Sequence, residues 1–272
     1  LHCSSAASDV YKRQILGRSA LSTATTVLNG VFIGRSAGED IAAGQALNGV
    51  VAIGWEAFKG GASTTTDAAG TIAIGYQAGY SITSGQRQTF LGYQAGYSST
   101  TGDENVFIGY QAGYSNVDNL ANIYIGKQAA YNIGDGSYNV AIGEEAMKST
   151  GTAANNHPNY NVAVGNQAAY NLTTGDYNVA IGSRAGYNTT GYNNNTSVGY
   201  YAMGNTAPGA NNVAIGYKAL ISNESNAASN NNPVNSVAVG YEALASVSTA
   251  DGNVAIGYQA MSGSEGSNGG YN

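Results

Sequence analysis

Charge, cysteine and long apolar stretches are all scarce in this chain, and each shortage excludes a class of protein. Charged residues make up 10% of the 272 residues and the net charge is −6, so the clustered Lys and Arg of a nucleic-acid-binding surface are missing. No apolar run approaches the roughly 20 residues that span a bilayer as a helix. We therefore expect no nucleic-acid partner, and no membrane contact from this fragment.

Catalytic chemistry finds equally little support. The single cysteine, Cys3, has no second cysteine with which to form a disulfide or a thiolate metal site. Apart from His2, the only histidine is His157, so neither a nucleophilic triad nor a zinc centre is expected. The sequence predicts a protein that is not an enzyme, with no catalytic residue, no metal and no cofactor.

A repeated phrase is what the chain has in abundance. It is clearest at residues 105–114, which read Asn-Val-Phe-Ile-Gly-Tyr-Gln-Ala-Gly-Tyr. Each copy has a central glycine, from which we count repeat positions as 0, and most copies lie 17 residues apart. These glycines are Gly17, Gly34, Gly54, Gly75, Gly92, Gly109, Gly126, Gly143, Gly165, Gly182, Gly199, Gly216, Gly240 and Gly257. A fixed short period is typical of stacked repeats, so we expect about 14 coils.

The residues around each glycine alternate in character. Position −1 is aliphatic in every copy and −3 is mostly Val or Ile, as in Ile108 and Val106. This alternation of β-branched residues predicts a short strand, with −3 and −1 turned inward and −2, such as Phe107, facing a subunit contact. Position +3 is always Ala and +2 is mostly polar, which predicts a second short strand with Ala112 inside and Gln111 in solvent.

The remaining positions divide between core and loop. Several copies have Tyr at +5, with Gly or Ala at +4, whereas others have a large apolar residue at +4. One interior pocket filled in two ways explains this exchange, so tyrosines such as Tyr114 are assigned to the core. Asn recurs at −4, where stacked coils would align the amides into a ladder. Asp103, Asp176 and Asp251 share position −6 in non-adjacent copies and are interpreted as solvated turn acids.

Seventeen residues accommodate two short strands and turns but no helix of useful length. We therefore predict an all-β fold, a thin parallel β-solenoid or β-roll with two short strands per coil.

Residues 4–14 resemble the in-frame translation of an adapter used to prepare sequencing libraries, so residues 1–14 are interpreted as a foreign segment and excluded from the fold. Residues 15–272 are expected to form a single β-roll repeat domain, truncated at both ends.

The motif Val-Ala-Ile-Gly, preceded by Asn or Ser and followed three residues later by Ala, resembles the head repeat of trimeric autotransporter adhesins. The match is best at residues 139–143, 212–216 and 236–240. The resemblance implies a left-handed parallel β-roll, a homotrimer, and attachment outside the cell, at a cell surface or on a virion, to a host-surface glycan or protein. Similar repeats occur in phage tail-fibre-like proteins. The alternative is therefore a structural shaft segment of a tail fibre or surface appendage.

Position +1 is the best candidate for recognition, because it accepts Trp, Tyr, Lys, Glu and Ser, which only a solvent-exposed position tolerates. Two groups of consecutive copies carry aromatic residues there: Trp55, Tyr76, Tyr93 and Tyr110, and then Tyr200, Tyr217, Tyr241 and Tyr258. Stacking would align each group into an aromatic ladder suited to a sugar or protein surface. Alternatively, neighbouring rings only stabilise the stack or line the trimer seam.

Overall fold

A computed structural model of the chain describes residues 13–24, 27–45, 47–61, 64, 68–204, 209–221, 233–246 and 251–263. Residues 1–12 of the segment interpreted as foreign lie outside these ranges. The chain divides into two compact units, Leu1–Lys127 and Gln128–Asn272. Within the described ranges, no helix is long and apolar enough to cross a membrane.

Each coil contributes one three-residue strand that ends directly before the central glycine. The strands of the first unit are β1 (Gln14–Leu16), β2 (Val31–Ile33), β3 (Val51–Ile53), β4 (Ile72–Ile74), β5 (Thr89–Leu91), β6 (Val106–Ile108) and β7 (Ile123–Ile125). Those of the second unit are β8 (Val140–Ile142), β9 (Val162–Val164), β10 (Val179–Ile181), β11 (Thr196–Val198), β12 (Val213–Ile215), β13 (Val237–Val239) and β14 (Val254–Ile256). A single turn of 3-10 helix spans Ala153–Asn155.

Neighbouring strands within each unit are parallel and in register, so every repeat position forms a column. Val106, for example, pairs with Thr89 on one side and Ile123 on the other. Longer loops leave the register intact, as the pairing of Val213 with Val237 shows. The predicted all-β parallel solenoid is therefore confirmed, with 17 residues per turn.

The strands face the opposite way from the prediction. Position −2 points into the coil, where Phe90, Phe107 and Tyr124 are fully buried, while −3 and −1 lie on the outside. The assignment of Val106 and Ile108 to the interior, and of Phe107 to a subunit contact, was wrong. A three-residue strand has one central side chain and two flanking ones, and a narrow coil has space for only the central one. Alternation shows which residues share a face but not which face is inside.

The predicted second strand is a turn segment instead. Positions +2 and +4 have left-handed backbone conformations, as in Gln111 at φ 53° and Met147 at φ 50°. The segment still forms hydrogen bonds from coil to coil, since the backbone amide of Gln94 donates to the backbone carbonyl of Tyr76 at 2.8 Å. Ala at +3 points inward as predicted, and Ala112 is fully buried. Each coil therefore has one strand and one turn segment, in which left-handed residues alternate with residues of ordinary backbone conformation.

The interior of the coils is filled from positions −2, +4 and +7. Where −2 is Phe107, +4 is Gly113, and a Cβ there would lie 2.5 Å from the phenylalanine ring. Where −2 is small, +4 supplies the buried side chain in Phe58, Met147, Met203, Leu220 and Leu244. Where both are small, +7 supplies it, as in Ile82 and Leu172. The predicted exchange at +4 therefore exists, but its partner is −2 and not the tyrosines at +5, which are only half-buried.

The central glycines let adjacent coils approach closely. Gly109 has φ 136°, and a Cβ on it would lie 2.5 Å from the carbonyl oxygen of Gly126 in the next coil. That φ is essentially restricted to glycine, and the contact distance is shorter than any non-bonded carbon–oxygen approach. Both constraints recur at the central glycines from Gly17 to Gly109 and from Gly143 to Gly240, which explains the glycine at position 0.

Asparagines at −4 form the predicted ladder. The side-chain oxygen of Asn161 accepts a hydrogen bond from the backbone amide of Asn178 at 2.8 Å, and that of Asn178 accepts one from Asn195 at 3.0 Å. The Asn161 side-chain amide in turn donates to the loop carbonyl of Gly175 at 2.8 Å. These amides are buried, so they satisfy backbone groups of the loop that water cannot reach.

Candidate functional site

The eight aromatic residues predicted at +1 form two ladders on the outside of the coils. In the first unit Tyr76, Tyr93 and Tyr110 stack with centroids 4.9 and 5.2 Å apart and interplanar angles of 15° and 12°. Trp55 meets Tyr76 edge-on at 5.5 Å, and the guanidinium of Arg35 lies 4.9 Å from the Trp55 ring centroid. We call Trp55, Tyr76, Tyr93 and Tyr110 the first ladder.

The second ladder lies in the second unit and consists of Tyr200, Tyr217, Tyr241 and Tyr258. Its successive centroids are 5.5, 4.9 and 5.2 Å apart, with interplanar angles of 14°, 9° and 13°. The predicted exposure is confirmed for seven of the eight residues, with Tyr93, Tyr110 and Tyr200 44%, 47% and 47% exposed, whereas Tyr76 is half-buried.

Stacking determines which part of each ring a ligand can reach. A flat molecule inserted between two rings would need roughly 7 Å, because each carbon contact takes about 3.5 Å. The spacings of 4.9 and 5.2 Å between Tyr76, Tyr93 and Tyr110 leave no such gap. These ladders therefore present ring edges and hydroxyls to the outside, and not the ring faces on which sugars usually stack.

Glutamines at +2 form a polar row beside the first ladder. The side-chain amide of Gln94 donates to Gln77 at 2.9 Å, that of Gln111 donates to Gln94 at 2.9 Å, and that of Gln77 donates to Glu56 at 2.7 Å. Each of these bonds uses one of the two N–H groups of a side-chain amide. The second N–H of Gln77 and of Gln94 has no acceptor among the described residues.

Tyrosines at +5 form another stacked row in the same coils. Tyr80 and Tyr97 stack at 5.0 Å, and Tyr97 and Tyr114 at 5.1 Å. Position +2 contacts both tyrosine rows, as two other coils show. There the Arg184 guanidinium at +2 lies 5.6 Å from the ring of Tyr187 at +5, and the Lys218 ammonium at +2 lies 5.4 Å from the ring of Tyr217 at +1. A side chain at +2 can therefore approach the rings of both the +1 and the +5 column.

The electrostatics of this surface favour the neutral form of the Tyr97 phenol. Burial raises the pKa of the Tyr97 phenol, and the neighbouring Tyr80 and Glu56 raise it further. Burial alone would lower the pKa of Lys59, but its hydrogen bond to the Tyr80 hydroxyl, with Tyr80, Glu56 and Asp40 nearby, gives a net increase. At neutral pH Tyr97 is therefore a neutral hydroxyl, and Lys59 is a cation at one end of the row.

A further column of stacked tyrosines, at position −5, was not predicted from the sequence. Tyr138, Tyr160 and Tyr177 at position −5 stack at 4.9 and 5.1 Å with interplanar angles of 5° and 3°. They are 46%, 49% and 58% exposed. The sequence signal is the Tyr-Asn pair that opens three consecutive copies. The stacking could have been predicted from this pair, because aromatic residues at one repeat position of consecutive coils align into a ladder.

The outward strand face is apolar. Its −3 and −1 columns consist of Val, Ile, Leu and occasional Thr, and the most exposed members away from the coil ends are Ile72, Leu91, Ile123, Ile142, Ile181 and Ile215. The exposed fraction is 42% for Leu91 and 41% for Ile181. We call these two columns the aliphatic face, and it runs beside the +1 column in each unit.

The aspartates at position −6 have structural partners. A carboxylate oxygen of Asp103 accepts the backbone amide of Gln86 at 2.8 Å, and one of Asp176 accepts that of Asn159 at 2.7 Å. Each carboxylate therefore accepts a hydrogen bond from the backbone amide at position −6 of the preceding coil. The interpretation of these residues as solvated turn acids was incomplete. His157 lies 3.6 Å from the carboxylate of Asp135. Among the described residues no group of three His, Cys, Asp or Glu could hold a metal ion.

Comparison with protein-family models, with curated proteins and with solved structures gives no match for this chain, so its function has to be argued from the geometry of these surfaces.

Proposed function

We propose that this chain is a non-enzymatic extracellular attachment module, similar to the head of a trimeric autotransporter adhesin. It binds a host or surface ligand, a glycan or a protein, through a surface that the repeat presents many times. The observation that supports this function is the stacked ladder of Tyr76, Tyr93 and Tyr110, whose side chains are all at least partly exposed. Repeating a weak contact on successive coils raises the overall affinity without requiring a strong single site.

The competing proposal is a structural shaft segment of a tail fibre or surface appendage. It is favoured by the stacking itself, because rings that cover one another's faces stabilise the coil without any ligand. A glycan and protein array probed with the recombinant fragment separates the two proposals. An attachment module retains at least one class of ligand, whereas a shaft binds nothing.

The aliphatic face supports a homotrimer. Partly exposed aliphatic residues form continuous columns in each unit, and large contiguous apolar patches on a protein surface mark interaction sites. In the proposed assembly three copies pack their aliphatic faces together. Phe107 and the other −2 residues take no part in this contact, because they lie inside the coils.

We expect the double variant Leu91→Glu/Ile181→Glu to convert the trimer into a folded monomer. Both side chains point out of the coil, so the fold tolerates them, but a carboxylate within an apolar interface is strongly unfavourable. The association constant should fall on the order of 100-fold or more, as measured by sedimentation equilibrium.

The matched control for this charge is Gln94→Glu at +2, where Glu56 already stands in another copy. The control should remain trimeric. A monomeric wild-type protein, or a Leu91→Glu/Ile181→Glu variant that still sediments as a trimer, would exclude the aliphatic face as the trimer contact.

A further inference from the structure

Three consecutive coils carry the same residues, Gly-Tyr-Gln-Ala-Gly-Tyr, and form the most regular part of the surface. Their +1, +2 and +5 side chains are Tyr76, Gln77 and Tyr80, then Tyr93, Gln94 and Tyr97, then Tyr110, Gln111 and Tyr114. We call these nine residues the Tyr-Gln-Tyr strip. Its regularity matters because a ligand with a matching repeat can make the same contact three times.

We propose that the Tyr-Gln-Tyr strip binds a linear, uncharged polysaccharide with extended β-linkages, lying parallel to the stacking direction. This inference rests on the proposed attachment function and names the ligand class for its candidate surface. Three properties of the strip carry it: its spacing, its unused hydrogen-bonding groups and its lack of charge.

Spacing is the first property. The ring centroids of Tyr76, Tyr93 and Tyr110 repeat at 4.9 and 5.2 Å, and those of Tyr80, Tyr97 and Tyr114 at 5.0 and 5.1 Å. Successive pyranose rings in an extended chain with diequatorial linkages repeat at nearly the same interval. An α-(1→4)-linked glucan coils, so it would lose this match after the first sugar.

The second property is that polar groups are left for a ligand. The hydroxyls of Tyr76, Tyr93 and Tyr110 make no hydrogen bond to any described residue, and one side-chain N–H of Gln77 and of Gln94 is also unused. A phenol both donates and accepts a hydrogen bond, whereas the second amide N–H donates. Together the phenols and amides offer both donors and acceptors, which complement the hydroxyl groups and ring oxygens along the edges of a sugar chain. The covered ring faces direct the contact to these groups.

The third property is the absence of ionisable charge at neutral pH within the strip. Its charged neighbours are Glu56 and Lys59 in the coil before it, which form an ion pair at 3.7 Å, and Lys127 at +1 in the coil after it. The chain as a whole has a net charge of −6, which repels polyanions. A neutral polysaccharide fits this surface better than an acidic one.

The proposal is tested by titrating the recombinant fragment with cello-oligosaccharides and chito-oligosaccharides of two to about six sugars, by isothermal calorimetry. Malto-oligosaccharides are the control ligand, because they contain the same glucose units as the cello-series in a coiling α-linkage. We expect affinity for the β-linked series to rise with length until the ligand spans the three coils, and the malto-series to bind at least about tenfold more weakly.

The discriminating variant is Tyr76→Phe/Tyr93→Phe/Tyr110→Phe, which keeps the stacked rings and removes only their hydroxyls. It should fold and assemble like the wild type and bind the longest β-linked oligomer at least about tenfold more weakly. Its matched control, Tyr138→Phe/Tyr160→Phe/Tyr177→Phe, removes three hydroxyls from the ladder at −5 and should bind like the wild type.

Three results would overturn the proposal: no binding of any β-linked oligomer, equal binding of the malto-series, or unchanged binding by the Tyr76→Phe/Tyr93→Phe/Tyr110→Phe variant. If no β-linked oligomer binds but the array identifies a protein ligand, polysaccharide binding is excluded and the attachment function remains. An array on which nothing binds would remove both.

Discussion

Replacing Gly109 with alanine is expected to cost more than about 4 kcal/mol of unfolding free energy, the largest effect of any methyl addition at the repeat positions considered. The new Cβ would meet the carbonyl oxygen of Gly126 at 2.5 Å and its carbonyl carbon at 2.7 Å, on a backbone with φ 136°. Relief would require the two coils to separate, which breaks the hydrogen bonds between them. Urea unfolding followed by far-UV circular dichroism measures the loss.

Gly186→Ala is the matched control for this substitution. Gly186 also has a positive φ, 58°, but the nearest atom to its added Cβ lies at 3.3 Å. Alanine already occupies this +4 position at Ala130 and Ala169, with φ 50° and 49°, so the expected loss is about 1 kcal/mol. Equal losses for the Gly109 and Gly186 variants would contradict the close approach of the coils at position 0.

Truncating Phe107 to alanine is expected to cost about 3–5 kcal/mol, as for other buried aromatic side chains. The ring is fully buried and stacks on Phe90 at 5.1 Å and on Tyr124 at 4.7 Å. Its removal would leave a cavity beside Gly113, which has no side chain to fill the space. The unfolding free energy should be compared at one protein concentration, because assembly changes apparent stability.

The neighbouring substitution Val106→Thr provides the contrast. Val106 is half-exposed on the aliphatic face, and its register partner in the adjacent coil, Thr89, already has a hydroxyl there. We expect a loss below about 1 kcal/mol. The opposite order, with Val106→Thr more damaging than Phe107→Ala, would show that the strand faces the other way.

The periodic features of this fold were predictable from the sequence, because stacking forces equivalent residues into the same environment. The parallel register, the invariant glycine, the inward Ala at +3 and the Asn ladder at −4 all follow from one repeated environment. The two +1 ladders followed as well, since the parallel register brings consecutive aromatic residues of one column into contact.

The direction of the strand face was not predictable by the same argument. Val106, Phe107 and Ile108 are all apolar, so hydrophobicity gives no preference for either face. The decisive information is steric and lies elsewhere in the coil, where Gly113 leaves the space that the Phe107 ring occupies. Correlating the sizes of −2, +4 and +7 across the copies would have revealed the interior.

The turn segment was missed for a different reason. Left-handed conformations at +2 and +4 alternate with residues of ordinary hand, and this arrangement also places successive side chains on opposite sides. Gln111 and Ala112 therefore show the polar–apolar alternation of a strand without being one. Tyr114 was misplaced for another reason: the exchange between +4 and +5 was interpreted as one interior pocket, whereas the side chain at +4 exchanges with that at −2.

The attachment function is tested most directly by comparing the wild-type fragment with the Tyr76→Ser/Tyr93→Ser/Tyr110→Ser variant on the surface or ligand that the array identifies. Both proteins are first matched for trimer content by sedimentation and for folding by circular dichroism. We predict that the variant remains a folded trimer and that its surface binding is abolished. A folded, trimeric variant that binds like the wild type would contradict the claim that the first ladder is the attachment surface, and a variant that fails to fold would give the ladder a structural role.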